Sequence, residues 1–597
     1  MKKFLPLIIT LLCAIYVVAT FFMGKPASRP YDIATFSRLP VLADGRVKPL
    51  DTVARTTLLR IRENQSVRAP DGRAIAPAEW LLDTCLNPIP ARQYRVFKIM
   101  NPEVLALVQL VPEDGDAKKY FSYAQLEPHF DDIERQARLA DSTDASQRNA
   151  FQRGVLALYG NLIEYKLLQY SFVLPESPNF LGELMALNAA PADATSKQLL
   201  ADARSRFQVM SEYGSLLVMP PTATQPTWLK TGDALTAALD ARQSLPPAAL
   251  AYAGLAHTWQ ARQSDQFNEI LHIFYQEQIA KHLPSGDQKK INAEWRFNAA
   301  QPFYTGMILY VLVFLLGIVS WIKWPDVLGR SAFWIMCLAW VLMTAGIITR
   351  MWLEGRPPVT NLYSSALGVG WAAVTLCIIL EAINKNAIAS VAGGLAGFGT
   401  LIIAHHLSFS GDTMEMMRAV LDSNFWLATH VVTITVGYGA TFLAGVLGVI
   451  YMCRSRLTTS LDDKTAASLE RMVYGIVCFA LFFSFLGTVL GGVWADQSWG
   501  RFWGWDPKEN GALIIVIWNA VVLHARWGKF VGPTGIMAMA VFGNIVTAWS
   551  WFGVNLLSVG LHSYGFTSGS MVALIIFVVC NLVVIALSLL PAQKRST

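Results

Sequence analysis

The chain has 597 residues, of which 53% are hydrophobic, 11% aromatic and only 15% charged, a composition too apolar for a soluble globular protein and expected of one built into a membrane. The net charge of +6 gives no reason to expect nucleic acid as a partner, because membrane proteins gather Lys and Arg in the loops of one face. The seven cysteines, Cys13, Cys85, Cys337, Cys377, Cys453, Cys478 and Cys580, form no C-x-x-C pair. This excludes a thioredoxin-like centre, a zinc knuckle and a c-type haem held covalently by this chain. Any thiol chemistry must come from a partner.

In chain order, the basic start Met1-Lys2-Lys3 precedes an apolar run over residues 4–23, long enough for a cleaved signal or for a spanning helix. Gly24-Lys25-Pro26-Ala27-Ser28 offers no clear small-x-small cleavage site, so a retained anchor is expected. Residues 24–300 are polar and hold no run long enough to span; they predict a soluble, mostly helical domain. Within it, 105–111 is strand-like, whereas 149–168 and 248–283 read as helices. Further spans are expected near 303–322, 331–349, 360–382, 387–405, 425–452, 472–492, 510–527, 535–555 and 570–590. With the first helix these make about ten, and the fold class is mainly α, a polytopic helical membrane protein with a large N-terminal soluble domain.

Orientation follows from short-loop Lys and Arg. With the N-terminus inside, thirteen lie on the inner side, against five outside: Arg350, Arg356, Arg418, Arg501 and Lys508. This places the soluble domain and the loops around 494–509 and 562 on the outer face.

Four tryptophans, Trp494, Trp499, Trp503 and Trp505, fall within twelve residues, where the nineteen of the whole chain, spread evenly, would place fewer than one. An interfacial aromatic belt explains any single one of them, but not four in one loop interspersed with glycine. Flat indole faces beside glycine suit a large planar apolar ligand. By the topology above, His430 stands near the outer end of its helix and His562 in the last outer loop. Two imidazoles on that surface are a standard axial pair for haem iron. His524 is expected to be packed near the inner end of the helix that follows the tryptophan loop. His129, His257, His272 and His282 show no ligand spacing.

At these residues the chain resembles the cytochrome c assembly proteins of the CcsA (ResC) type, within the haem-handling group that shares a tryptophan-rich WWD domain. The resemblance is carried by Trp499-Gly500-Arg501-Phe502-Trp503-Gly504-Trp505-Asp506-Pro507-Lys508-Glu509, whose W-D-P-K-E ending is closer to the CcsA than to the CcmF type. Phe425-Trp426-Leu427-Ala428-Thr429-His430-Val431 and Gly560-Leu561-His562-Ser563-Tyr564 resemble the family's two external haem-ligand segments. Leu523-His524-Ala525-Arg526 matches its intramembrane histidine, and residues 350–364 resemble an outer loop of the family. The resemblance covers roughly residues 300–590 and leaves out 24–300.

Hydropathy and topology predict an N-terminal transmembrane anchor (1–23) and an extracytoplasmic soluble domain (24–300), and the resemblance implies that 301–597 is a haem-handling membrane domain with its WWD loop near 494–509. It implies non-covalent haem b in transit, with His430 and His562 as axial ligands of the iron. His524, Trp499, Trp503, Trp505 and Asp506 belong to the same binding set, and Arg350 and Arg356 are candidate clamps for the propionates, since a guanidinium matches a carboxylate bidentately. The expected setting is a bacterial inner membrane, multi-pass, with the loop on the periplasmic side. The expected partners are an apocytochrome c bearing C-x-x-C-H, a thiol-reducing protein and a CcsB (ResB)-like membrane protein, the last because the 4–23 helix lacks the histidine that CcsB supplies. The implied role is haem presentation for covalent attachment, with haem export, as a subunit of a holocytochrome c synthase (haem lyase); whether this chain itself catalyses bond formation stays open. A haem or porphyrin exporter without ligation activity and a respiratory electron-transfer subunit are the alternatives.

Overall fold

A computed structural model describes residues 4–23, 30–116, 119–145, 147–189, 194–223, 225–417, 419–557 and 568–591. The chain divides into two compact units: Gly24–Ala299 with Ser408–Met416, and Met1–Met23 with Ala300–Leu407 and Met417–Thr597.

The first unit is helical and, among the described residues, has three short antiparallel strand pairs: Pro40–Ala43 with Arg46–Pro49, Val67–Arg68 with Ala74–Ile75, and Arg95–Lys98 with Tyr120–Ser122. The first hairpin turns on Asp44-Gly45, both at positive φ, as a two-residue turn matched to strand twist requires. Its core holds Phe36, Trp80, Phe97, Tyr165 and Phe172, all fully buried, and the Tyr165 hydroxyl donates to the Ala91 carbonyl at 3.0 Å.

Two sequence expectations fail in this unit. The run 105–111 is not a strand, because Pro102–Leu107 is a helix. Asn101 caps it, accepting from the amides of Glu103 and Val104, and Pro102 fills the first turn; the start signal outweighs the β-propensity of the valines and leucines. Likewise 248–283 is not one helix but Pro247–Gln260 and Ser264–Phe274, broken where Arg262 takes a left-handed conformation. The helix expected over 149–168 is found as Ala150–Gln169, closed by a reciprocal cap between Asn149 and Gln152.

Ser408–Met416 stands in sequence between two long apolar helices but belongs to the soluble unit. There the Asp412 carboxylate accepts from Arg46 at 2.9 Å and from Lys48 at 2.8 Å, while Arg46 pairs bidentately with Glu294. Burial alone would raise the Asp412 pKa; Arg46 and Lys48 outweigh it and hold the group well below the ordinary carboxylate range.

In the second unit the expected spans become Pro302–Ser320, Pro325–Glu354, Leu362–Asn384, Ile388–Leu407, Val432–Leu457, Asp463–Trp499, Pro507–Trp527, Pro533–Ala548 and Ser568–Ala586. Among the described residues nine helices are long and apolar enough to cross a membrane. The apolar N-terminal helix Leu5–Met23 packs on Pro325–Glu354. The protein is therefore a polytopic helical membrane protein.

Val432–Leu457 and Asp463–Trp499 are close neighbours because glycine lets their backbones meet. A Cβ on Gly487 would stand 2.8 Å from the Ile434 Cα, and one on Gly437 2.8 Å from the Ser484 amide nitrogen. Buried polar side chains pair inside the bundle: Tyr438 with Ser550 at 2.7 Å, Asn519 with Thr441 at 3.2 Å and Asn544 with Asn581 at 3.0 Å.

Candidate functional site

The membrane unit contains a cavity of about 200 Å³ whose lining includes His430, Trp494, Trp499, Trp503, Lys508 and Trp551. Two of its walls come from local breaks in helical register. Leu427–Val431 and Trp549–Gly553 are π turns, and each turns a cavity residue, His430 or Trp551, out of an otherwise regular α-helix. The His430 Nδ1 lies 2.8 Å from the Gly487 carbonyl oxygen. A carbonyl only accepts, so Nδ1 carries the proton and the lone pair of the neutral ring resides on Nε2, as a metal-ligating imidazole requires. The ring lies on Gly491, where a Cβ would come within 2.6 Å of the imidazole Cε1; on Gly492 a Cβ would come within 2.5 Å of the Phe502 ring.

The tryptophans divide by position. Trp494 stacks on Trp426 with centroids 6.4 Å apart and planes 13° apart, and it lies 5.8 Å from the His430 ring. Trp499 is the last residue of its helix, which Gly500 closes in the left-handed conformation. Trp503 lines the cavity, whereas Trp505 is 70% exposed, takes a positive φ and is not part of the lining. The next residues form a helix start: Asp506 accepts from the Lys508 amide, Pro507 occupies the first turn, and the Glu509 carboxylate accepts from the amides of Asp506 and Gly504. Asp506 is thus buried as a cap and lies outside the lining.

Arg350 and Arg356 do not line the cavity. Arg350 is buried, paired with Glu354 at 3.1 Å and placed 4.8 Å over the Tyr363 ring. Arg356 binds Asp422 bidentately at 2.6 and 2.8 Å. His524 is exposed rather than packed, its Nδ1 bonded to the Ala520 carbonyl at 2.8 Å. The buried stripe of its helix runs through Gly511, Ile515, Asn519 and Leu523, and one further residue turns His524 off that stripe. It stands about 22 Å along the helix from Glu509. His562 lies outside the described residues. Sequence reasoning missed Trp551 and Lys508 as cavity residues: Trp551 donates from its indole nitrogen to the Ser365 hydroxyl at 3.0 Å, and the Lys508 ammonium donates to the Trp551 carbonyl at 3.0 Å. Nothing local in either segment announces the cavity, because its walls meet only after π turns that hydropathy does not reveal.

Fold and site define a multi-spanning helical membrane protein with an indole-walled cavity presenting a tautomer-fixed imidazole. Residues 359–562 match the cytochrome C assembly protein family. NrfI of Wolinella succinogenes is 28% identical over 298 residues, 47% of this chain and 32% of that protein. The cytochrome c biogenesis protein CcsA of Synechococcus sp. (strain CC9902) is 29% identical over 292 residues, 44% of this chain and 95% of the relative. CcsA of Chlamydomonas reinhardtii is 29% identical over 234 residues, 38% of this chain and 66% of the relative. The chain thus spans about a third of NrfI and nearly all of the cyanobacterial CcsA.

Proposed function

We propose that the chain serves cytochrome c biogenesis by binding haem b non-covalently at the indole-walled cavity and presenting it for attachment to an apocytochrome c. The observation that carries the reading is His430, which lines the cavity with its Nδ1 proton on the Gly487 carbonyl, the tautomer in which Nε2 holds the lone pair. Trp494, Trp499 and Trp503 supply flat apolar walls, and Gly491 and Gly492 remove the bulk that would close them. At about 200 Å³ the cavity is smaller than sites that enclose a drug-sized ligand, roughly 300–1,000 Å³, so these residues would hold one edge of a macrocycle and leave the rest accessible to a partner.

His562 is the proposed second axial ligand, and His524, at the other end of the Pro507–Trp527 helix, the proposed receiving residue on the inner side. On this reading the cavity faces the periplasmic side of a bacterial inner membrane, an orientation that the Lys and Arg asymmetry supports. The bound group would supply vinyl carbons; for each thioether, a cysteine sulfur of C-x-x-C-H adds to one vinyl carbon and the thiol proton goes to the other. This chain's residues orient the reaction, and a separate reductant keeps the partner thiols reduced. A CcsB-like membrane protein would complete the assembly. The test is the absorption spectrum of the purified full chain: haem removable by acid-acetone, with an axial histidine spectrum lost in His430→Ala, is expected. Co-expression with an apocytochrome decides between synthase and exporter, since export alone raises free haem without raising covalent haem on the cytochrome.

A further inference from the structure

Among the described residues that line the cavity, Lys508 is the one fixed cation. It occupies the first turn of Pro507–Trp527 and is partly buried. Its ammonium has three N–H groups, and among the described residues the hydrogen-bond partner of this ammonium is the Trp551 carbonyl, at 3.0 Å. The nearby carboxylates serve the helix start: Asp506 Oδ1 accepts from the Lys508 amide, and Glu509 Oε2 accepts from the amides of Gly504 and Asp506. No ion pair within 4.0 Å joins Lys508 to any described acid. The segment 558–567, which follows Trp551 in sequence, contains no Asp or Glu. The two arginines of the outer loop differ in this respect, since Arg350 is paired with Glu354 and Arg356 with Asp422.

The ammonium has one neutral hydrogen-bond acceptor, Asp506 acts on it electrostatically from beyond ion-pair distance, and the Glu509 carboxylate in the same lining is engaged by backbone amides; a ligand carboxylate would therefore supply the direct charge-assisted contact that the described residues do not. We propose that Lys508 receives a carboxylate of the ligand inside the cavity, so that the site selects planar macrocycles carrying free carboxylates over their neutral esters. This rests on the haem-binding reading above and assigns the acid edge of that ligand to Lys508 rather than to Arg350 or Arg356. The selectivity comes from the cation, while the indoles and His430 hold ring and iron irrespective of esterification.

The experiment titrates the purified full chain in detergent with haem and with haem dimethyl ester, following the Soret band, in wild type, Lys508→Met, Lys508→Arg and His430→Ala. Wild type is expected to prefer the diacid, and Lys508→Met to reduce that preference about tenfold by weakening the diacid alone. Lys508→Arg should keep the preference. Since Lys508→Met sees the same difference in hydrophobicity between the two ligands, the ratio of preferences isolates the carboxylate. The helix cap uses only the Lys508 backbone, so Lys508→Met leaves it in place. Equal affinity of wild type for both ligands, or an unchanged preference in Lys508→Met, overturns the proposal while His430-dependent binding upholds the haem site. Absence of any His430-dependent binding overturns the haem reading itself, and this proposal with it.

Discussion

In the soluble unit Arg46 and Lys48 are buried with their acids beside them, Glu294 and Asp412 closing the pairs at 2.7 to 2.9 Å. In the membrane unit Lys508 lines a cavity with one backbone carbonyl at its ammonium and no ion pair among the described residues. The soluble cluster is saturated, and charge there fixes where Ser408–Met416 belongs. The cavity is unsaturated in that sense alone, with Asp506 acting on the ammonium from beyond ion-pair distance. The same contrast separates the arginines from the lysine: Arg350 and Arg356 have protein partners and hold loops, whatever their promise as ligand clamps when read from sequence alone.

The saturated side breaks most expensively. Asp412→Ala removes the acid that Arg46 and Lys48 share, leaving Glu294 on Arg46 and Asp44 on Lys48, and a loss of about 3 kcal/mol of stability is expected, read as a lowered unfolding temperature of the full chain and faster proteolysis within 408–416. A loss below about 1 kcal/mol would show that the cluster is not what holds the segment. Because Asp412's folded pKa is depressed, its stabilisation is full above the ordinary aspartate value of about 4 and is lost as pH falls from there through the folded value. The Asp412→Ala variant should lose that part of the acid transition.

On the unsaturated side, Gly491→Ala inserts a methyl 2.6 Å from the His430 Cε1. Helix propensity favours Ala, but displacing the imidazole from its bond to Gly487 should cost about 1–3 kcal/mol, seen as an altered axial-histidine spectrum in a protein that remains folded. Unchanged ligation would mean that the ring is not held where the Gly487 bond places it. Next in size, Trp503→Ala should weaken haem binding by about 1 kcal/mol, roughly fivefold, while Trp505→Ala, exposed and outside the lining, should change it less than about twofold. Equal losses for both would place Trp505 in the site after all.

The spans were legible because hydropathy reports the solvent of a helix directly; 472–492 grew to Asp463–Trp499 where polar residues continue the turn, whereas 425–452 and 535–555 are interrupted by π turns. Residue type and position singled out His430, Trp494, Trp499 and Trp503, which line one cavity, together with Trp505, which does not. Asp506, expected in the binding set, is found as the cap of a helix start that W-D-P-K-E encodes, with Glu509 completing the capping box. Trp551 and Lys508 were illegible because their meeting depends on the π turn Trp549–Gly553, a one-residue shift in register invisible to a hydropathy window. The strand expected over 105–111 failed because Asn101 and Pro102 set the local structure before side-chain preference could act.

The smallest effect tests that capping account. Asp506→Ala removes the acceptor of the Lys508 amide and should cost about 1 kcal/mol of stability. Asparagine caps nearly as well as aspartate, so Asp506→Asn should lie within about 0.5 kcal/mol of wild type and keep haem affinity within about twofold. Two roles are thereby separated. A cap needs an oxygen at the right place and tolerates the loss of charge, whereas a residue that balances Lys508 or meets the ligand by its charge does not. If Asp506→Asn folds normally yet loses haem as completely as His430→Ala, Asp506 acts through its charge at the site, and the comparison between a saturated soluble cluster and an unsaturated cavity must be redrawn with Asp506 as the counter-ion of Lys508.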